Sequence, residues 1–290
     1  MIKNHRRNYN LPNFIGIGVA KSGTTWLSEI LRAHPQIFIP PEKELVFFSS
    51  EENYKNGINW YLDFFKDASP SQISGEFSVD YLASGHKTAK RIYEFNKNIK
   101  LILMVRNPVE RAISHYRFLK QINKKTNTFV NEIRLNGSPA SHSLYYKNFL
   151  PFTELFPREQ YHIIRYDDIV TNPKSIQKSV YRFLGVCSDI DSGVTKKVIG
   201  KTINPRFIFL EKLRLYLFES ARKNNLAFFI PFSKKIGLSS LYRKLNHNEY
   251  TQEKITNDEK MIAYNCFIED MLKFSKLTGI DVSSWIMKND

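Results

Sequence analysis

The sequence predicts a three-layer α/β fold: a central parallel β-sheet flanked by helices, followed by a helical C-terminal third. Two apolar runs, Asn13–Gly18 (NFIGIG) and Ile99–Val105 (IKLILMV), are almost free of polar interruption, as strands buried on both faces are. Strand candidates alternate with segments of helical periodicity as far as about residue 186, the pattern of a parallel sheet with crossover helices. Beyond that point only helical periodicity is found. The 290 residues, 42% of them hydrophobic, suffice for one large domain, read as an α/β core over 11–186 and a helical acceptor or lid region over 187–290.

The elements follow in order. After the first strand come glycine and serine, then a helix from Thr24 to about Arg32 with Trp26, Leu27, Ile30 and Leu31 on one side. Pro40 and Pro41 mark a loop, Ile73–Glu76 is a second strand, and a helix near 87–96 leads into the Ile99–Val105 strand. Asn107, Pro108 and Glu110 begin the next helix: an N-cap residue, a first-turn proline and a capping-box glutamate. The polar stretch 120–141 reads as a mobile loop. A helix over 143–156, a strand over 161–166 and a helix opened by Pro173 and ending near Leu184 complete the core. Thr256–Glu259 is a capping box that starts a helix carrying Met261, Tyr264, Ile268, Met271 and Leu272.

The formal charge is +15, which favours anionic partners. Between Lys196 and Asn246 there are twelve Lys or Arg against Glu211 and Glu219, so much of the excess is local and suits a docking face. Leu210, Leu213, Leu217 and Phe218 fall at helical spacing there, with Lys212, Arg214, Arg222 and Lys223 outside. That pattern fits a core-facing helix, or peripheral docking on an anionic membrane. Cys187 and Cys266 have no metal or redox spacing, the N-terminal ten residues have no apolar core of a signal, and no run of about 18 apolar residues occurs. A cytoplasmic, reducing setting is the expectation.

The chemistry concentrates at Gly18-Val-Ala-Lys21-Ser22-Gly23-Thr24-Thr25, where a strand turns into a helix. Small residues let backbone N–H groups approach an anion, and a helix N-terminus favours negative charge. The Gly18-x4-Gly23 spacing makes the fold P-loop-like. Thr24, however, stands where a nucleotide P-loop has lysine, and the lysine sits earlier, at Lys21. The Ile99–Val105 strand ends in Arg106, with no carboxylate before Glu110 to hold a magnesium ion. These residues point to a second anion and to a reaction without a metal.

Lys21-Ser-Gly-Thr-Thr-Trp-Leu27 resembles the 5′-phosphosulfate loop of the sulfotransferase superfamily. Arg106-Asn-Pro-Val-Glu-Arg-Ala-Ile-Ser114-His-Tyr116 resembles its 3′-phosphate motif, and 156–168 (FPREQYHIIRYDD) is similar to a third family stretch. Glu269-Asp270 through Leu277–Trp285 resembles the tail of bacterial and glycan-type members, so the likeness runs from about Phe14 to Trp285.

The resemblance implies a donor, 3′-phosphoadenosine 5′-phosphosulfate (PAPS), that becomes 3′-phosphoadenosine 5′-phosphate (PAP). It implies that Lys21 contacts the sulfate and the leaving oxygen, that Ser22, Gly23, Thr24 and Thr25 bind the 5′-phosphate, and that Arg106 and Ser114 hold the 3′-phosphate. Trp26 and Tyr166 are candidates for bordering the adenine, each equally readable as an ordinary packing aromatic. Lys201 or Arg206 is expected to close over the nucleotide. Lys43-Glu44-Leu45-Val46-Phe47-Phe48 matches the glycan-type stretch that carries the general base, which makes Glu44 the base, its carboxyl tuned upward by burial. His86 and His115 are the histidine alternatives. Gly75-Glu76-Phe77-Ser78 departs from the glycan-type Gly-Glu-Lys-Ser/Thr, and Glu76 or Asp80 could assist acceptor binding. A carbohydrate, glycolipid or small alcohol acceptor is implied; nucleic acid is not expected as a partner.

Two other classes remain open. A P-loop kinase or NTPase lacks its lysine after Gly23 and its metal-holding acid. A basic module binding nucleic acid or membrane is motivated by Phe207–Lys244 alone.

Overall fold

The computed structural model describes residues 11–122, 127–193 and 253–287. These fall into two units, 11–116 with 127–193 and 255–287 in one, and 117–122 with 253–254 in the other; the sheet belongs to the first. The basic segment 196–246, with Lys201 and Arg206, lies outside the described residues.

Five parallel strands form one sheet in the order β2-β3-β1-β4-β5: β1 (Phe14–Gly18), β2 (Ile37–Phe38), β3 (Ile73–Phe77), β4 (Lys100–Val105) and β5 (Tyr161–Arg165). Register runs Phe14↔Gly75, Ile15↔Leu101 and Leu101↔Tyr161. On β4, Leu101, Leu103 and Val105 pack on one face and Ile102 and Met104 on the other, all fully buried. A strand with two buried faces needs apolar residues at every position, which is why the run is continuous.

The first face meets α3 (Gly57–Asp63), α4 (Gly85–Phe95), α8 (Tyr145–Thr153) and α11 (Asn257–Thr278), through Tyr61, Ile92, Phe149 and Phe274 among others. Against the second lie α1 (Thr24–Arg32), α9 (Tyr166–Thr171) and α10 (Pro173–Leu184). Gly16 is required where the Phe77 ring crosses β1, because a Cβ there would lie 1.9 Å from the ring.

Most local signals hold. Asn107 Oδ1 accepts from the amides of Val109 and Glu110, opening α5 (Pro108–Gln121). Thr256 and Glu259 exchange both bonds of a capping box at α11. Two readings change. Glu110 turns to Arg106 and Lys260, at 3.9 and 3.4 Å, which takes its carboxylate along the surface of α5. The described part of 120–141 holds α6 (Phe129–Arg134) and α7 (Ser138–Ser141) where a mobile loop is expected. Phe129 and Ile133, one turn apart, bury against the apolar cluster that includes Val109, Ile113 and Phe267, and Thr128 caps α6. Sequence reading also misses α2 (Glu51–Lys55) and α3.

Candidate active site

From β1 the chain runs to β2 and β3 on one side and then crosses to β4 on the other, so the end of β1 is where the strand order reverses. Ligands of open parallel sheets bind outside the carboxyl ends of the strands at such a point. The Gly18–Thr25 loop lies there.

Its backbone demands the residues it has. Gly18 has φ 138°, and a Cβ would stand 2.9 Å from the Val79 carbonyl. Gly23 has φ 92° and caps α1 without a side chain, so no side-chain oxygen competes for the amides of the first turn. Lys21 is itself left-handed, at φ 71°. Its ammonium is pushed down by burial first, then by the charges of Arg106 and Arg111. Ser22 Oγ is buried with no hydrogen-bond partner among the described residues. A buried hydroxyl costs free energy until something bonds to it, so this orphan fits a loop that takes an anion. Thr24 is buried and Thr25 half-buried, its Oγ1 accepting from Lys43 Nζ at 2.7 Å. Trp26 is buried on the inner face of α1, among Leu27, Ile30 and the sheet.

Arg106 follows β4, its carbonyl accepting from Tyr145 Oη at 2.7 Å and its guanidinium 4.8 Å from the Tyr166 ring centre. Tyr166 also borders the phosphate loop: a Cβ on Gly23 would be 3.3 Å from its ring. One aromatic therefore touches both expected anion sites. Ser114 is half-buried on α5, two turns along from Arg106, with Glu110 one turn from each.

Behind them is a group that sequence reading missed. Arg111 is completely buried; it donates to Ser143 Oγ at 2.8 Å and to the Pro139 carbonyl, and lies 3.1 Å from His115 Nδ1. Burial lowers it to about 10. Its position five residues after Arg106 in the motif is the only sequence hint. His115 thus serves Arg111, and His86 is exposed on α4.

The stretch 43–48 lies beside this loop. Glu44 and Val46 have φ 65° and 44°, backbone that β-branched and long residues adopt only when held. The Val46 amide donates to Ser78 Oγ at 2.9 Å, Asn53 Nδ2 to the Leu45 carbonyl at 2.9 Å, and Arg91 to the Phe48 carbonyl at 3.0 Å. The Phe47 and Phe48 rings pack on Tyr61. The Glu44 side chain is 38% exposed, with Lys43 at 4.0 Å. Loss of hydration raises its carboxyl, Lys43 draws it down and Asp80 raises it. Asp80 is exposed. Glu76 is 1% exposed under the loop, with its Oε2 accepting from Ser78 Oγ at 2.8 Å, and burial pushes it up to about 7. Of the two carboxylates expected to assist acceptor binding, Glu76 is thus enclosed and Asp80 is exposed.

Residues 11–203 match the family model described as "Sulfotransferase domain". Heparan sulfate glucosamine 3-O-sulfotransferase 5 of Mus musculus is 34% identical over 188 residues, 61% of this chain and 54% of that protein. The chain thus spans about half the length of this relative. Membrane-associated sulfotransferase kil1 of Dictyostelium discoideum is 44% identical over 111 residues, 37% of this chain and 23% of that protein. A sulfotransferase from Alicyclobacillus acidocaldarius shares the fold, with TM-score 0.66 and 24% identity over 95% of this chain and 98% of that one. Among the described residues no helix is long and apolar enough to cross a membrane.

Proposed function

The chain belongs to the sulfotransferase-domain family, and we propose that it moves a sulfuryl group from PAPS to a hydroxyl or amine of a carbohydrate or glycolipid, without a metal ion. The observation that carries this is Tyr166 set against both the Gly23 turn and Arg106, which brings the two sites expected to take the 5′- and 3′-phosphates to one aromatic ring.

In this reading Ser22, Gly23, Thr24 and Thr25 hold the 5′-phosphate, and the Ser22 hydroxyl gains its missing partner. Arg106 and Ser114 hold the 3′-phosphate. Tyr166 borders the adenine; Trp26, also a candidate there, borders it only from the core side. The bound donor supplies the sulfuryl group, which leaves the 5′-phosphate oxygen for the acceptor oxygen or nitrogen. Lys21 holds positive charge where that leaving oxygen turns anionic, and Glu44 takes the acceptor proton. Lys201 or Arg206 closes over the nucleotide from the segment outside the described residues. A sugar acceptor follows the heparan sulfate relative, which is named for acting on glucosamine. Residues 11–186 serve the donor and 187–290 the acceptor, in a cytoplasmic setting that the exposed free Cys187 and Cys266 tolerate; the basic 196–246 segment docks on an anionic membrane or on the acceptor.

Thermal-shift titration with PAP against ATP tests the donor site, followed by transfer from PAPS to heparan-derived oligosaccharide, glycolipid and small alcohol. Stabilisation by PAP well beyond that by ATP is expected. Equal or stronger stabilisation by ATP with magnesium would favour a kinase or NTPase.

A further inference from the structure

The geometry points to Glu76 and Ser78 as positioning residues for Glu44: Ser78 holds the Val46 amide, Glu76 holds Ser78, and this two-link chain sets the direction of the Glu44 carboxylate. The inference rests on the reading of Glu44 as general base.

Three observations support it. Glu44 and Val46 are both left-handed, and such backbone persists only where its surroundings over-determine it. The acceptor of the Val46 amide is Ser78 Oγ, 32 residues away and fully buried. A hydroxyl has one hydrogen to give. Ser78 gives it to Glu76, which turns its lone pairs toward Val46. A serine without Glu76 could rotate and lose that direction.

A carboxylate is a costly way to orient one hydroxyl, since an amide oxygen would do the same without burying an acid. Glu76 Oε1 and the Tyr61 hydroxyl are both buried without a hydrogen-bond partner of ordinary geometry among the described residues, so the group is not fully compensated. What a carboxylate adds is charge. The groups that act on it are Tyr61 of α3, Ser78 and Tyr81 after β3, and Glu44. Glu44 raises the proton affinity of Glu76. Glu76 therefore aims Glu44 through Ser78.

The test uses the full chain, PAPS and a heparan-derived oligosaccharide, together with amide hydrogen exchange. Ser78→Ala should lower kcat about tenfold or more with the donor KM within about twofold, because misaiming a base costs turnover and not donor binding. Ser78→Thr should restore most of the loss. Exchange at Val46 should quicken at least about tenfold in Ser78→Ala, a readout that needs no acceptor. Glu76→Gln keeps an acceptor for Ser78 and should hold kcat and Val46 exchange closer to the parent than Ser78→Ala does. The double variant Ser78→Ala with Glu44→Gln should be no slower than Glu44→Gln alone.

Unchanged exchange at Val46 or a Ser78→Ala kcat within about twofold of the parent would each overturn the inference. Full activity in Glu44→Gln would remove the base itself. A dead Glu44→Gln beside a normal Ser78→Ala would remove only the positioning role.

Discussion

The phosphate loop and the Glu44 loop are joined by a bond from Lys43 Nζ to Thr25 Oγ1, yet they are built by opposite means. The phosphate loop is contiguous. Its shape comes from Gly18 and Gly23 in positive φ, its anchor is the Val19 amide on the Met104 carbonyl, and its donors are its own backbone and side chains. The Glu44 loop borrows its shape from Asn53, Ser78, Tyr81, Thr88 and Arg91, residues reaching it from up to 43 positions away. Local geometry suits an anion that backbone amides can hold. A carboxylate that must point at one proton needs a frame supplied from outside.

The largest effect that would break this contrast lies on the contiguous side. Lys21→Ala should lower kcat by about 10² to 10³, the usual cost of removing one preorganised charge from a transition state, while PAP binding weakens far less. The measurement is single-turnover transfer beside PAP titration. If PAP binding fell as far as kcat, Lys21 would act in holding the loop, and the loop would not be self-sufficient.

The second effect probes the borrowed frame through stability. Burial lifts Glu76 from 4.5 to about 7, so the folded chain holds a proton there that the unfolded chain has released. The stability this contributes is complete below about pH 4.5 and is lost as pH rises through about 7. The shift is worth up to about 3 kcal/mol. Urea denaturation of Glu76→Gln against the parent should show the variant gaining on it by up to that amount between pH 4.5 and 8, other titrations cancelling in the difference. A constant difference would mean that Glu76 is already ionised at acid pH.

The same contrast decides what could be read from the sequence. The β1 turn, the Asn107–Pro108 start of α5 and the Thr256–Glu259 box were legible because each is fixed by residues within a few positions. The short α2 and α3 were not; in α3, Trp60 and Tyr61 pack on Phe47, and Tyr61 also on Phe48 and Phe95, residues outside the helix. Arg111 was hidden for a like reason: its partners Pro139 and Ser143 lie 28 and 32 residues away, and nothing local announces a buried guanidinium. Lys201 and Arg206 were named from the sequence and lie outside the described residues. Trp26, equally readable from the sequence as an adenine neighbour or a packing aromatic, is buried in the cluster that holds Leu27 and Ile30.

The smallest effect tests whether the donor side is one site or two. Arg106 sits at a strand end outside the phosphate loop, joined to it by Tyr166. A charge-assisted bond of this kind is worth about 1.5–3 kcal/mol, so Arg106→Ala should weaken PAP about 10- to 100-fold. Adenosine 5′-phosphate, which lacks the second phosphate, should bind the variant and the parent within about twofold of each other. Calorimetric titration of both nucleotides gives the comparison directly. Equal losses for the two would mean that Arg106 supports the turn around Gly23 through Tyr166, and the phosphate loop would then depend on distant residues as the Glu44 loop does. Loss confined to PAP would leave the donor side as two independently built anion sites, with only the base side dependent on its neighbours.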